Sequence, residues 1–598
     1  MDTNPLQKPL LRDGSQVVLE LQSFNEAPPL WHSVKDLDSF LARAYKYYLS
    51  KGFTAILLSG LLNLLTLAAV VLLTFFLVSF IDYGELFDTN SITESVDVDL
   101  SRVPVVLWFF LGLFAIFWVY EFCRFVYYIP GQLEMRHFYN SKLNISERHL
   151  QTIEWSEVVD RMIAVPGLCH VKEQLNPLDV TNRLTRVENY LVAMFNKGLF
   201  DVAVPTALSS RRRPRHLSIF SKTLEWSVWI IVFPFVFRNS STVRREILQS
   251  KDDPILLHCL IDRLRSRILW FGLLSLLLSP LVFIFLTIYY MFRYGEEVRN
   301  RPSFLGSRHW SLQSRWMFRE FNELPHQLQT RLNECHPIAE HYVSLYSSHI
   351  MALVARFISF FFGAMCVIVV VLAVIDEDIL FSDFFFGKTG LWLLGVGGTG
   401  LAICRGFIPD EKCVHDPEDT MWKIFRYTHY MPKRWRKCLY TYDVYDEFTE
   451  LFEYRVMGFL REMFSVLTAP LVLIFILRPR SHQLISFFAK FTTVNVHGVG
   501  DICSFAAFHN EHGNSKYGSS SSASKDMRSK QGKVEKSMMH FKESYPQWAL
   551  PDEAELAVSA VQAQGSLSSL PLHTSSDEER GRTAASLLQL QQSFYESH

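Results

Sequence analysis

Long uncharged runs dominate the hydrophobic pattern of this chain, and their lengths set the first expectations. Phe53 to Ile81 holds no charged side chain, and as a helix it outreaches the roughly 30 Å of bilayer hydrocarbon. Val103 to Tyr120 is equally uncharged and keeps its helical pattern through Glu121 and Arg124 to Tyr128, where Pro130 is expected to stop it. Phe357–Ile375 and Thr389–Cys404 form a second pair of such runs. Four transmembrane helices are therefore predicted, at 53–81, 103–128, 357–375 and 389–404.

The distribution of charge orients them. Residues 82–102 carry Asp82, Glu85, Asp88, Glu94, Asp97 and Asp99 against Arg102, and 376–388 carry Asp376, Glu377, Asp378 and Asp383 against Lys388. Positive residues hold loops in the cytosol, so both acidic loops are expected to be luminal. Ile268–Phe292 is also uncharged, but it contains Pro280 and is followed by Arg293, Arg299, Arg301, Arg308 and further arginines. A single crossing there would place those arginines in the lumen and the 376–388 turn in the cytosol. The pattern predicts instead that 226–292, and likewise 456–477 with its Pro470, dip into the membrane and return as re-entrant elements.

The rest of the chain is more polar. Residues 131–225, 293–356 and 405–455 read as cytosolic helices, and strand alternation is nearly absent. Leu37, Phe40, Leu41, Ala44 and Tyr48 form an apolar stripe, suited either to the membrane interface or to packing on neighbouring helices. Residues 1–30 are expected to be a disordered N-terminal tail without a signal peptide. From 513 to 598 the Ser-, Lys- and Gln-rich composition predicts a mostly disordered cytosolic tail, in which Ala584, Leu587, Leu588 and Phe594 have the spacing of a partner-binding helix. The expected fold class is thus an all-α membrane protein with four transmembrane helices, two re-entrant membrane elements, a cytosolic helical domain and a disordered C-terminal tail.

Composition narrows the function by exclusion. Across 598 residues, 59 Lys and Arg balance 60 Asp and Glu, which removes the argument for a globally basic nucleic-acid binder. Nine cysteines occur without a C-x-x-C pair, so neither a zinc site nor another metal or cofactor is expected. Phe386-Gly387-Lys388-Thr389 resembles the end of a phosphate-binding loop, but Ser382 stands where its first glycine is required. No nucleophile-elbow or zinc-protease motif occurs, so bond-making catalysis is not expected.

What remains are polar groups at or beside membrane depth, where they must pair, snorkel or line water. Glu121 and Arg124 share one face of the second span, and Arg461 and Glu462 open the second re-entrant run. Glu296, Arg299 and Arg301 follow the first one and have the chemistry to meet lipid phosphates. Thr399 lies among Gly395, Gly397, Gly398 and Gly400, a stretch suited to close helix packing or to a neighbouring gap. These eight residues are the candidate lipid path.

Several ordered stretches resemble one family. They include Trp31-His32, Tyr45-Lys46-Tyr47-Tyr48, Ile81-Asp82-Tyr83, Ile375-Asp376-Glu377-Asp378 and Cys404-Arg405-Gly406-Phe407-Ile408-Pro409-Asp410. His429-Tyr430-Met431-Pro432, Asp446-Glu447-Phe448, Leu477-Arg478-Pro479-Arg480, Gly498-Val499-Gly500-Asp501 and Met539-His540-Phe541 continue the series. Together they resemble the autophagy-related protein 9 family. The resemblance implies a homotrimer with swapped helices and cytosolic termini, carried on small Golgi- and endosome-derived vesicles. It also implies phospholipid scrambling during autophagosome formation, alongside the lipid-transfer protein of autophagy and components of the initiation kinase complex. A recruitment scaffold without transport activity is the alternative. Residues 201–250, with Arg211-Arg212-Arg213-Pro214-Arg215, depart from the family pattern.

Overall fold

The computed structural model describes residues 36–81, 103–166, 168, 175–200, 220–239, 241–300, 306–346, 349–381, 383–385, 388–405, 408, 416–496, 498–508, 524 and 526–550. The acidic loop 82–102, Arg211 to Arg215, the N-terminal tail and residues 551–598 lie outside them. The chain divides into two compact units, Met1–Leu184 and Thr185–His598.

In the first unit, helices α1 (Leu37–Leu49), α2 (Phe53–Phe80) and α3 (Val105–Ser141) are followed by the shorter α4 (Trp155–Ile163) and α5 (Pro177–Leu184). Asp36 caps α1, its carboxylate accepting from the Asp38 and Ser39 amides at 3.0 and 3.3 Å. The apolar stripe of α1 is buried within the protein, as one of its two sequence readings has it. Phe40 meets Phe138 edge-on at 5.0 Å, and the Tyr139 hydroxyl donates to the Ala44 carbonyl at 2.8 Å. Asp38 pairs with Arg183 of α5, both side chains nearly buried. Between α2 and α3, the Trp118 indole donates to the Leu64 carbonyl at 3.0 Å.

Pro130 does not end the second span as expected. Helix α3 runs through it for 37 residues. A proline removes one ladder hydrogen bond, and the remaining ladder, with the packing of Phe138 and Tyr139 on α1 beyond it, carries the helix through.

The second unit begins with α6 (Arg186–Lys197), α7 (Lys222–Ile231), the single turn α8 (Phe233–Val236) and α9 (Arg245–Gln249). Helix α10 (Pro254–Asn300) then spans 47 residues, about 70 Å at about 1.5 Å per residue. Pro280 does not break it, because the uncharged run around that proline offers the flanking backbone no partner outside the helix. Strand β1 (Arg308–Trp310), α11 (Leu312–Phe318) and α12 (Pro325–Ser344) lead to α13 (His349–Ile375). A short ribbon, β2 (Asp383–Phe385) with β3 (Lys388–Thr389), turns the chain into α14 (Gly390–Arg405), which packs along α13.

The order continues with α15 (Pro417–Thr428), α16 (Tyr442–Leu451), β4 (Phe452–Tyr454) and α17 (Arg455–Val472). Past Pro470, α17 passes into a π turn at Leu473–Leu477. Helix α18 (Ser481–Lys490), the hairpin of β5 (Thr492–Val496) and β6 (Gly500–Cys503), and α19 (Lys533–Ser544) complete the unit. The three two-stranded ribbons are the strands that the alternation pattern was too short to signal.

Five helical stretches among the described residues are long and apolar enough to cross a membrane: Phe53–Phe80, Leu107–Ser141, Pro254–Phe292, Ile350–Ile375 and Arg455–Leu477. Gly390–Arg405 is a shorter apolar helix of 16 residues. Three of the four expected spans thus recur among the five, and the fourth is the shorter helix.

A second core is polar at its centre. Trp310, Phe318, Leu332, Met421, Phe425 and Phe448 pack between α11, α12, α15 and α16. Beside them Arg331 forms a fork with Glu323, at 2.9 and 2.8 Å, and donates to the Phe318 carbonyl at 3.0 Å. Helix α19 closes this layer. Its Ser537 hydroxyl bonds to Glu320, and the Phe321 amide donates to that hydroxyl at 3.0 Å. His540 pairs with Glu323 at 3.5 Å, while Phe541, Tyr545 and Trp548 are buried. The expectation of a tail beginning at 513 is corrected here, because 526–550 fold onto the core. Composition misled because several of its Lys and Ser side chains, Ser529, Lys536 and Ser537 among them, are buried here and paired rather than left in water.

Candidate functional site: a polar face on a membrane-length helix

Two of the predicted polar residues meet on α17. The ribbon of β1 with β4 pairs His309 with Glu453 and Arg308 with Tyr454, which delivers Glu453 to the base of that helix. Arg461 grips both carboxylate oxygens of Glu453, one of them at 2.6 Å. The partner is therefore eight positions upstream, not the adjacent Glu462. Glu462 instead accepts the Lys222 backbone amide at 3.0 Å, at the start of α7. One turn further, the Thr223 and Ser465 hydroxyls lie 2.8 Å apart.

Gly458, Arg461, Glu462 and Ser465 recur at the three- and four-residue spacing of one helical face. The opposite side of α17 packs along α10, where Phe283 meets Phe464 and Tyr290 meets Phe459, each pair at 5.6 Å. Gly272 permits the close approach of α10, since a Cβ there would lie 2.7 Å from the Ile474 side chain. One face of α17 is apolar packing and the other is a polar row.

The groups around this row differ in charge state. Burial, with Arg455, Arg461 and Lys222 nearby, pushes the His309 imidazole down to about 4, so it is neutral near pH 7. Its ring lies against Gly458, where any side chain would collide with it. Burial raises the Glu453 carboxyl, opposed by Arg461. The Arg461 and Glu453 side chains keep 23% and 12% of their exposure, so the pair is partly open to its surroundings. Such a row offers fixed donors and acceptors to a polar headgroup along an otherwise apolar helix. Among the described residues no group of three or more His, Cys, Asp and Glu side chains is placed to hold a metal ion.

The other predicted residues are not drawn into this row. Glu121 and Arg124 form their own ion pair at 2.7 Å on α3, within the first unit. Thr399 is exposed on α14, and its hydroxyl donates to the Gly395 carbonyl at 2.8 Å. Gly397 and Gly400 press against Cys366 and Phe362 of α13, whereas Gly395 and Gly398 face open space. Packing claims one side of the glycine stretch and leaves the side carrying Thr399 uncovered. Glu296 and Arg299 occupy the last turns of α10, but their side chains, and Arg301 altogether, lie outside the described residues.

Lys222, Thr223, His309, Glu453 and Ser465 were not foreseen. Charge alone flags Glu453 beside a membrane run, but its pairing depends on a ribbon that joins residues far apart in sequence.

With this geometry in place, comparison with known proteins is direct. Residues 29–509 match the family model described as autophagy protein ATG9. The chain is 37% identical over 546 residues to autophagy-related protein 9 of Dictyostelium discoideum, covering 90% of this chain and 76% of that protein. It is 33% identical over 562 residues to autophagy-related protein 9 of Arabidopsis thaliana, of which it spans 63%. The cryo-EM structure of Schizosaccharomyces pombe Atg9 superposes with a TM-score of 0.60 at 30% identity, over 80% of this chain and all of that one. A family match through both membrane helices and polar core, together with relatives at this identity, means that the chain belongs to the autophagy-related protein 9 family of membrane proteins.

Proposed function

We propose that this protein is a passive phospholipid scramblase of autophagosome formation, equilibrating lipid between leaflets without bond chemistry. The observation that carries the reading is the polar row on α17, in which Arg461, Glu462 and Ser465 of a membrane-length helix engage Glu453 of β4 and Lys222 and Thr223 of α7. A headgroup loses its hydration in hydrocarbon at a cost of several kcal/mol or more for each unpaired charge, so a lipid path must supply polar partners while the tails stay in lipid. The uncovered side of α14, with Thr399 between Gly398 and Gly400, is a candidate second wall.

In this reading the chain works as a homotrimer on trans-Golgi-, endosome- and vesicle-derived membranes, with both termini cytosolic. Four helices cross, while α7 with α10, and α17 with its π turn, enter and leave from the cytosolic side. The lipid-transfer protein of autophagy and the initiation kinase complex are its proposed partners, because one-leaflet delivery creates the imbalance that scrambling relieves.

The test is reconstitution of the purified protein into liposomes with a fluorescent phospholipid, following dithionite quenching. Replacing Arg461 and Glu453 together by Leu, with Thr223→Val and Ser465→Val, is expected to slow lipid flipping at least tenfold while assembly is retained. Wild-type rates in that well-assembled variant would move the path elsewhere. Protease protection of a tag inserted at the exposed Gly306 in sealed vesicles would overturn the proposed orientation.

A further inference from the structure

Helix α10 carries a surface of graded chemistry that the lipid path does not use. Arg263, Arg267, Trp270, Leu274, Leu277 and Leu281 recur every three or four residues on one face, and all are exposed. From Arg263 to Leu274 that face changes from two arginines through an indole to leucine, with Trp270 and Leu277 at 71% and 76% exposure. A helix that passes from headgroups into hydrocarbon displays its side chains in this order. Neighbouring elements mark the same level. Trp226 of α7, also exposed, lies beside Phe271 with ring centroids 6.4 Å apart. Helix α17 runs antiparallel to α10, Ile474 meeting Gly272 and Phe464 meeting Phe283. Its apolar run therefore ends at Arg478 near the level where that of α10 begins at Ile268.

The basic end of the face is set by α7, α9 and the turn between α9 and α10. Glu246 of α9 approaches Arg263 at 3.8 Å, a loose contact between two exposed side chains. Arg267 donates to the Ile230 carbonyl at 3.1 Å, a neutral acceptor that orients the guanidinium without cancelling its charge. Arg244, exposed just before α9, donates to the Pro234 carbonyl at 3.3 Å, and Arg245 beside it is also exposed. The region's other carboxylates have their own settings. Asp253 caps α10 by accepting the Ile255 and Leu256 amides at 2.9 and 3.2 Å, and Asp262 faces Arg265 at 3.6 Å. Asp252 follows Lys251 in the turn, both exposed.

We propose that this face of α10, with Arg244 and Arg245 at its edge, binds anionic phospholipid headgroups of the bilayer that holds the helix. A guanidinium meets phosphate or carboxylate oxygens in a two-pronged fork, and basic residues at the membrane surface favour anionic lipid over zwitterionic lipid. Trp226 and Trp270 fix the depth, so the arginines lie at headgroup level while Leu274, Leu277 and Leu281 meet acyl chains. A free metabolite would gain nothing from that leucine stripe, which selects a membrane lipid as the occupant. Binding here does not require lipid to move between leaflets.

Benzoylphenylalanine in place of Ser266, which is exposed on the same face between Arg263 and Trp270, reports the local lipid. The full-length protein is placed in nanodiscs of phosphatidylcholine with about one-fifth phosphatidylserine, and its photo-adducts are identified by mass spectrometry. Phosphatidylserine is expected in the adducts at roughly three times its share of the bilayer or more. Arg263→Gln with Arg267→Gln, both at exposed positions, is expected to return the adducts to the bulk ratio. Salt at about 0.5 M should do the same to the unaltered face, because exposed charges are screened. The same probe at Leu277, about three turns along the face, is expected to report the bulk ratio throughout. A bulk ratio at Ser266 without the arginine changes, absence of lipid adducts there, or a cross-link to a second copy of the chain would overturn the site. Enrichment that survives both the double variant and the salt would overturn it equally.

Discussion

The α13–α14 hairpin and the layer of α12, α15 and α19 solve opposite problems within one unit. The hairpin turns its large apolar side chains outward: Phe357, Phe360 and Val374 are 71%, 76% and 83% exposed. What it buries are small residues, with Gly397 and Gly400 seated against Cys366 and Phe362. The layer turns charge inward, enclosing Glu320, Glu323, Arg331 and Lys536. Where the surroundings are as apolar as the core, helices gain little from hiding hydrophobic groups and associate through close fit. Where water surrounds the fold, apolar burial drives folding and an enclosed ion pair selects one arrangement.

Removing one enclosed ion is the most damaging way to challenge this contrast. Glu323→Ala removes the carboxylate that Arg331 forks and leaves His540 only Glu543, and breaking such a buried pair costs about 3–5 kcal/mol. It is expected to release 526–550 to limited proteolysis while the α13–α14 hairpin stays protected in nanodiscs. Equal protection of 526–550 in variant and wild type would show that the ions do not hold α19.

Changing pH perturbs the same layer without mutation. Burial disfavours a charged His540, but Glu323 and Glu543 outweigh it and raise its pKa to about 9 from 6.5. Its contribution, on the order of 3 kcal/mol, is complete below pH 6.5 and is lost as pH rises through 9. On the acid side, His429 is held at about 4 and Glu320 at about 2, so stability falls first between pH 6.5 and 4 and again as pH approaches 2. Hydrogen exchange of α19 amides across this range reads both arms. Because Lys536, lowered to about 8 by burial, works in the opposite direction above that pH, the window for His540 is pH 6.5 to 8, and protection of α19 that rises across it would contradict the assignment.

The hairpin has a finer test. Gly400→Ala brings a methyl group to 2.9 Å from the Phe362 ring, and overpacking of this kind costs about 1–3 kcal/mol. Gly398→Ala meets nothing within 4 Å and is expected to be neutral. Thermal unfolding in detergent should separate the two, and equal melting temperatures would remove the packing seam from the argument. The smallest effect is expected at Glu121 and Arg124. This ion pair lies within one helix, with half of the arginine exposed, and a double-mutant cycle on it should return less than about 1 kcal/mol.

The membrane helices were legible because an uncharged run of sufficient length has few other uses in a protein. Their ends were less so. The stop rule for proline assumes that a broken helix can satisfy its backbone with water, and in the uncharged run around Pro280 that alternative is missing. The site was half legible for a different reason. Arg461 and Glu462 advertise themselves by charge beside an apolar run, but the ribbon that supplies Glu453 and the helix start that engages Glu462 are long-range facts. In α19 and the turn after it, the anchors Val534, Phe541, Tyr545 and Trp548 were visible in sequence but outvoted by composition. Only the resemblance at Met539-His540-Phe541 pointed to structure there.

The closure of α19 on Glu320 also governs the order in which the protein can be made. The Ser537–Glu320 contact spans 217 positions, so the ribosome has inserted every later membrane helix before the serine emerges. Until then, Glu320 and Glu323 wait on a half-built surface with part of their partners still unsynthesised. Completion of this layer therefore waits until α19 is available, after α13, α14 and α17 have been made, and a nascent chain cut before residue 537 presents an unsealed acidic seam.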